Sequence, residues 1–307
     1  AAEYFGLSDD YVLEVDLTPN RIDAASHYGV ARDLNAWMGI HSTPTTLTRP
    51  SVDGFRAGTP GDARAISVEV EATQACTRYA GLTIRGVRVG ESPEWLRTRL
   101  ETIGLHSINN VVDITNYILH AFCQPLHCFD AARIGGGRIV VRTCPEGTPF
   151  TTLDGVERKL NAADLMICDA ERPMCMAGVF GGPDSGVTEQ TCDIFLESAC
   201  FNPTSVRRTA RRHGLSTDSS FRFERGVDPN GCLYALKLAA MMVQELGGGE
   251  ICGDIIDIYP QPVEPAHVDF TYEGFARAIG EDVPHDTLDR ILSLLEIKAE
   301  PAGPGAL

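Results

Sequence analysis

SINNVVDITNYILHAFCQPLHCFD, residues 107–130, holds a helix and a polar cluster in one run. Val111, Ile114, Ile118 and Phe122 recur at helical intervals and make one apolar stripe. Asp113, Asn116 and His120 cannot all share that stripe, so they are expected to line an edge or a pocket. After the helix comes Gln124-Pro125-Leu126-His127, where a loop is expected to aim the His127 ring into a cleft. A second polar run, HGLSTDSSFRFERGVDP at residues 213–229, is as dense in groups that need partners. Both read as walls of a binding site.

Outward from the helix the pattern changes period. Ile66, Val68 and Val70, then Leu82, Ile84, Val87 and Val89, alternate as half-buried strands. Ser92 is the expected N-cap of another helix, with Pro93 at its first position, Leu96, Leu100 and Ile103 as its buried stripe and Gly104 as its stop. Residues 138–143, 165–168, 174–179 and 194–196 are strand-like, and helices start at Pro203 and Pro229, the second reaching the triple glycine at Gly247. Hairpin-like strands mixed with separated helices specify an α+β fold with a central mixed sheet rather than a doubly wound one.

The flanks read differently. A strand at 11–17, a Pro19-Asn20 turn and a helix capped by Ser26, with Val30, Leu34 and Trp37 in step and Gly39 as its stop, make residues 1–40 the end of an N-terminal module. Residues 41–64 are rich in Pro, Thr and Gly without periodicity and read as a linker. The central domain is expected over 65–258. In 259–307, Phe275 and Ile279 fall on one short helix and Leu288, Ile291, Leu292 and Leu295 on another, as in the first half of a small helical or winged domain. A first residue other than Met and the ending EPAGPGAL suggest a piece of a longer protein.

With 43% hydrophobic residues, 307 residues can bury one sizeable core and a smaller second one. No apolar run approaches the roughly 20 residues of a membrane span, and the start lacks a signal peptide's basic and apolar regions, so a cytoplasmic location without membrane contact is expected. A formal charge of -16 excludes a surface that grips phosphate everywhere. Between Asn202 and Gly226, however, Arg207, Arg208, Arg211, Arg212, Arg222 and Arg225 face only Asp218 and Glu224. That run is either a solvated helix face or a local nucleic-acid footprint. The 10 cysteines contain no Cys-x-x-Cys pair, and the groups Cys123, His127, Cys128 and Cys168, Cys175 lack zinc-ligand spacing. They are expected to be packed thiols, with no metal bound.

Several separate motifs resemble one family in order and spacing. They are TPNRIDAASHYGVARDL at 18–34, RYAGLTIRGVRVGESPEWL at 78–96, INNVVDITNY at 108–117, QPLHCFD at 124–130, AGVFGG at 177–182, LESACF at 196–201 and TDSSFRFERGVDP at 217–229. The family is the beta subunit of bacterial phenylalanine-tRNA ligase, whose editing domain hydrolyses tyrosine mischarged onto tRNA(Phe). The resemblance implies tRNA(Phe) and an alpha subunit as partners in an alpha2-beta2 heterotetramer. It also implies ATP and Mg for the full enzyme and no cofactor in this part, since no phosphate-cradling loop occurs here.

The resemblance also assigns residues. His127 matches the editing-site histidine, acting as a base or positioning the water or the terminal ribose. Glu197 matches the acceptor for the tyrosine phenol; without the family it reads as a partner for an arginine of the next helix. Thr115 and Asn116 offer a hydroxyl and an amide on the polar side of their helix, with ordinary helix hydrogen bonding as the plain alternative. Gly178, Gly181 and Gly182 match the floor of the amino-acid pocket, where a missing Cβ lets the backbone approach a ligand, and Ala177 beside them is assigned to substrate binding. Thr217 and Ser219 match the aminoacyl and terminal-adenosine end, although some relatives carry Ala at the position of Ser219. Arg207, Arg208, Arg211 and Arg212 are the candidate contacts to the acceptor end. A non-catalytic scaffold that orients tRNA, or a binder of a phenylalanine-like small molecule, would use the same pocket.

Overall fold

The computed structural model describes residues 11–42 and 45–300. The readings placed on residues 1–10, 43–44 and 301–307 lie outside these. Helix α1 (His27–His41) is followed by strands β1 (Ser67–Val70) and β2 (Cys76–Arg85). Helices α2 (Glu94–Thr102) and α3 (Asn110–Phe122) lead into β3 (Leu126–Asp130) and β4 (Arg138–Thr143). A hairpin of β5 (Pro149–Thr151) and β6 (Glu157–Lys159) precedes β7 (Leu165–Cys168), β8 (Pro173–Met176), β9 (Phe180–Gly181) and β10 (Asp193–Phe201). Then come α4 (Pro203–His213), α5 (Asp218–Phe223), α6 (Gly231–Gly247) and β11 (Glu250–Ile258), and finally α7 (Tyr272–Ile279) and α8 (His285–Leu294). The fold is α+β.

Two sheets form. One runs β11-β2-β10-β3, antiparallel throughout; the other runs β1-β4-β7-β8-β9, with β1 and β4 parallel. Alternation in β2 and β10 decides how they stack. Ala80, Leu82, Ile84, Ile194 and Leu196 face Leu96, Leu100, Val111, Ile114, Ile118, Leu236 and Val243 of the covering helices α2, α3 and α6. Tyr79, Phe129, Phe195, Ala199 and Phe201 point the other way and join Ile139, Val141, Ile167 and Met176 of the second sheet. The four-stranded sheet therefore lies between a helical layer and another sheet. All of β10 after Asp193 is buried. A polar residue there must find an internal partner or remain costly.

Several local expectations are corrected. Residues 11–17 form no strand, and Val12, Leu13 and Val15 are exposed. Ser26 does cap α1, accepting from Gly29 N, but the helix continues past Gly39. A Cβ on Gly39 would sit 2.6 Å from Leu294 Cδ1, so this glycine admits α8 rather than ending α1. Leu34 and Trp37 are exposed, while Asn35, Ala36 and Gly39 form the buried side; the period was legible but the face was not. Pro93, not Ser92, occupies the N-cap of α2. Ser92 Oγ instead donates to Asp113 Oδ2 at 2.6 Å, and Asp113 also accepts from Ser107 Oγ and Ile108 N. Asp113 is thus a sealed knot under the start of α3, not a pocket edge. Residues 45–66 lack regular structure but are not detached: Val52 and Phe55 pack on the helical core, and Gly58 N donates to Gly253 O at 2.8 Å.

Candidate functional site

His127 lies on β3, not on a loop. Pro125 cannot donate to a ladder, so pairing begins with the next residue, on the edge strand of the sheet. The register sets His127 directly opposite Glu197 of β10, so both side chains leave the same face, between the two sheets. The His127 ring stands edge-on to Phe129 with centroids 4.4 Å apart. Part of the residue is exposed, yet its Nε2 is sealed and has no hydrogen-bond partner. Burial pulls its pKa down to about 4, leaving a neutral imidazole near pH 7.

Glu197 is 6% exposed, and no arginine reaches it. The arginine-partner reading therefore fails. Its Oε2 accepts from Tyr79 Oη at 2.6 Å. Burial pushes the Glu197 carboxyl up to about 7, against the opposing pull of the tyrosine hydrogen bond. Tyr79 is fully buried and pushed well above its usual 10, so the shared proton belongs to the phenol. A neutral imidazole and a carboxyl poised near neutrality, side by side in an apolar layer, are what proton-handling or polar-ligand sites assemble.

The glycine-rich segment approaches this pair. A Cβ on Gly181 would lie 3.7 Å from His127 Cε1 and 3.1 Å from Leu153 Cδ1. Leu153, at the turn of the β5–β6 hairpin, donates its N–H to Gly181 O at 3.0 Å, so the hairpin tip is tied to the glycine that lies beside the imidazole. Gly178 has φ +69 and admits the rings of Phe201 and Phe223, which a Cβ would meet at 2.9 and 2.8 Å. Its space is filled by the chain's own aromatics, and Ala177 beside it is buried. Thr217 caps α5, accepting from Ser220 N at 3.0 Å, and donates to Val179 O at 3.1 Å. That bond ties the 177–182 segment to α5, which also carries the half-buried Ser219.

The other expected residues lie apart from the His127–Glu197 pair in bonding. Thr115 is buried and donates to Val112 O at 2.7 Å, the ordinary intrahelical bond, while Asn116 is half-buried on the same helix. Arg207, Arg208 and Arg211 are exposed on α4 and form no ion pair among the described residues. Arg212 is committed to Asp164, which also accepts from Thr209 Oγ1 at 2.8 Å and faces His213 Nε2 at 2.7 Å.

Two residues of the site were not singled out from the sequence, Tyr79 and Leu153. Tyr79 carried a usable signal: Ala80 and Leu82 belong to the apolar alternation of β2, so residue 79 must face the opposite side. A separate cleft of about 340 Å³ lies between α1 and the start of α6, lined among others by Tyr28, Arg32, Arg49, Asp228 and Tyr234. Neither His127 nor Glu197 lines it.

The family described as the B3/4 domain matches residues 75–248, more than half of the chain. The chain is 60% identical over 298 residues to the phenylalanine-tRNA ligase beta subunit of Bacteroides fragilis strain YCH46, covering 97% of this chain and 36% of that protein. The corresponding subunit of Porphyromonas gingivalis strain W83 is 54% identical over 310 residues, covering 100% and 37%. That of Salinibacter ruber is 46% identical over 300 residues, covering 98% and 35%. A solved N-terminal fragment of the phenylalanyl-tRNA synthetase beta-subunit from Pyrococcus horikoshii aligns loosely, with 15% identity and a TM-score of 0.41, over 94% of this chain and 77% of that one. The chain spans little more than a third of the length of the curated relatives it matches. Its two-sheet body, with the His127–Glu197 pair between the sheets, belongs to the B3/4 domain family.

Proposed function

We propose that this chain carries the hydrolytic editing site of a phenylalanine-tRNA ligase beta subunit, cleaving the ester of tyrosine mischarged onto tRNA(Phe). The observation that carries the reading is the buried Glu197 carboxyl, which already accepts a phenol at 2.6 Å and stands across the ladder from a neutral histidine. In this reading Glu197 accepts the hydrogen bond of the substrate's phenol. Water attacks the ester carbonyl, the bond to the ribose oxygen breaks, and that oxygen takes up a proton. With its pKa near 4, His127 is a weak acceptor of that water's proton, since an effective base has a pKa near the working pH. Its unpartnered Nε2 is better suited to hold a water or a ribose hydroxyl once the sealed layer opens to admit one, which would also satisfy the nitrogen.

The whole protein is proposed to work in the cytoplasm with an alpha-subunit partner, where ATP and magnesium serve the charging reaction. Among the described residues, no group of three or more His, Cys, Asp or Glu side chains is arranged to hold a metal ion.

A charge-assisted hydrogen bond contributes about 1.5 to 3 kcal/mol. Glu197→Ala should therefore slow tyrosyl-tRNA hydrolysis by roughly one to two powers of ten. The phenylalanyl ester should lose much less, and His127→Ala should slow both. Single-turnover deacylation of both esters in the full heterotetramer measures this. Equal slowing of the two esters by Glu197→Ala would remove Glu197 from selectivity.

The exposed Arg207, Arg208 and Arg211 favour an added role for α4 in holding the acceptor end. Replacing all three with Gln should weaken tRNA binding across sequences and reduce the magnitude of the log–log salt slope by about 2 to 3, since each phosphate contact contributes roughly 0.7 to 0.9. An unchanged slope assigns them to a merely solvated face.

A further inference from the structure

The Tyr79 phenol is the only hydrogen-bond partner of the Glu197 carboxyl among the described residues. Its place follows from the ladder. Tyr79 pairs with Ala199 on β10, and Glu197 pairs with Gly81 on β2, so the phenol and the carboxyl are diagonal neighbours on one face. Gly81 adds no side chain between them; a Cβ there would meet the Phe195 ring at 2.3 Å. The groups facing Glu197 are the Tyr79 phenol and Cys76 thiol from β2, the Cys175 thiol from β8 and the neutral His127 from β3. No cation is among them. Both thiols are pushed up by burial and stay protonated, so they do not offset a charge on Glu197.

A carboxylate in such a layer keeps its charge only as far as its donors allow. Here the donor is one phenol, bound to Oε2, while Oε1 has no hydrogen bond among the described residues. We propose that Tyr79 is a positioning residue for hydroxyl selection: by holding Oε2 it fixes the Glu197 carboxylate and leaves Oε1 to accept a substrate's phenol. The inference rests on the editing reading for its substrate, and on the Tyr79–Glu197 geometry for its mechanism. Without the Tyr79 hydroxyl, Glu197 binds a proton more readily. A protonated carboxyl offers the phenol a neutral hydrogen bond, roughly half as strong as a charge-assisted one. The site then reads the added hydroxyl poorly although Glu197 is still present.

The test is Tyr79→Phe, which keeps the buried ring, in the full heterotetramer, beside Glu197→Gln and the double variant. The tyrosyl-to-phenylalanyl ratio of single-turnover hydrolysis is followed from pH 6 to pH 9. Tyr79→Phe should lower the ratio about tenfold near pH 7 and displace its rise to higher pH. In the Glu197→Gln background, adding Tyr79→Phe should change the ratio little, because the group it positions has lost its charge. An unchanged ratio and unchanged pH dependence in Tyr79→Phe would overturn the proposal, as would full additivity of the two substitutions. A second readout does not depend on hydrolysis: the Glu197 carboxyl stretch, assigned by infrared difference against Glu197→Gln. Its titration should move to higher pH in Tyr79→Phe, and an unmoved titration overturns the inference even if both esters are cleaved. If the unmodified enzyme cleaves neither ester, the editing reading fails, and the infrared titration alone decides the role of Tyr79.

Discussion

Asp164→Ala is expected to remove about 3 to 5 kcal/mol of folding stability, the usual cost of breaking a buried ion pair from one side. Asp164 is fully buried, one residue before β7. It gathers Thr209 Oγ1, Arg212 Nη1 and His213 Nε2 from α4, and Asn161 N at 2.8 Å from its own turn. Burial alone would raise its pKa, but these donors outweigh burial and hold it below the usual 3.8. Alanine leaves the buried Thr209 and His213 without their acceptor, and unmade bonds cost more than made ones contribute. Arg212 is about a third exposed, so water screens its share and the sealed donors dominate the loss. Asp164→Asn retains one acceptor oxygen and should lose less, about 1 to 3 kcal/mol. Because the folded pKa is depressed, this contribution is complete above pH 3.8 and disappears as pH falls through the folded value. Urea midpoints at constant m measure both variants. A loss below about 1 kcal/mol for Asp164→Ala would mean that α4 is not anchored here, and would return Arg212 to the exposed arginine face.

That division of the arginines could not be read from their spacing. Arg208 and Arg212 are one helical turn apart, and only the buried carboxylate 48 residues upstream of Arg212 separates them. The helix stripe of α3 was legible because Val111, Ile114 and Ile118 repeat at helical spacing and all enter one buried core, with Phe122 packed at its edge. His127 was misplaced because a five-residue strand that follows a proline is too short for alternation to register. In α1 the period was right but the buried face was not, since Leu294 of α8 seats on Gly39 and the side that carries Ala36 and Gly39, rather than Leu34 and Trp37, is buried. The phenol on Glu197 depends on register between two strands more than 100 residues apart, which no local pattern contains.

Between pH 7 and pH 4, Glu197 and His127 should drive stability in opposite directions by about equal amounts. Glu197 is raised from 4.5 to about 7, so the folded protein keeps a proton that the unfolded chain has released. Its contribution is fully present below pH 4.5 and is lost as pH rises to about 7, a swing of ~3 kcal/mol. His127 is lowered from 6.5 to about 4, so the unfolded chain takes up a proton that the folded protein refuses. Its contribution is complete above pH 6.5 and is lost as pH falls to about 4, again ~3 kcal/mol. The unmodified protein should show little net slope from these two. Glu197→Gln should expose the histidine term, so that stability falls on acidification. His127→Phe should expose the carboxyl term, so that stability rises instead. His120, also lowered to about 4 by burial and Arg222, adds the same acid-side loss to all three proteins and cancels in the comparison. Urea unfolding across this range gives the slopes. Parallel slopes in all three proteins would mean that water reaches the pair in solution and that the layer is open before substrate arrives. Diverging slopes would mean a dry pair between the sheets, to which the hydrolytic water must be admitted together with the ester.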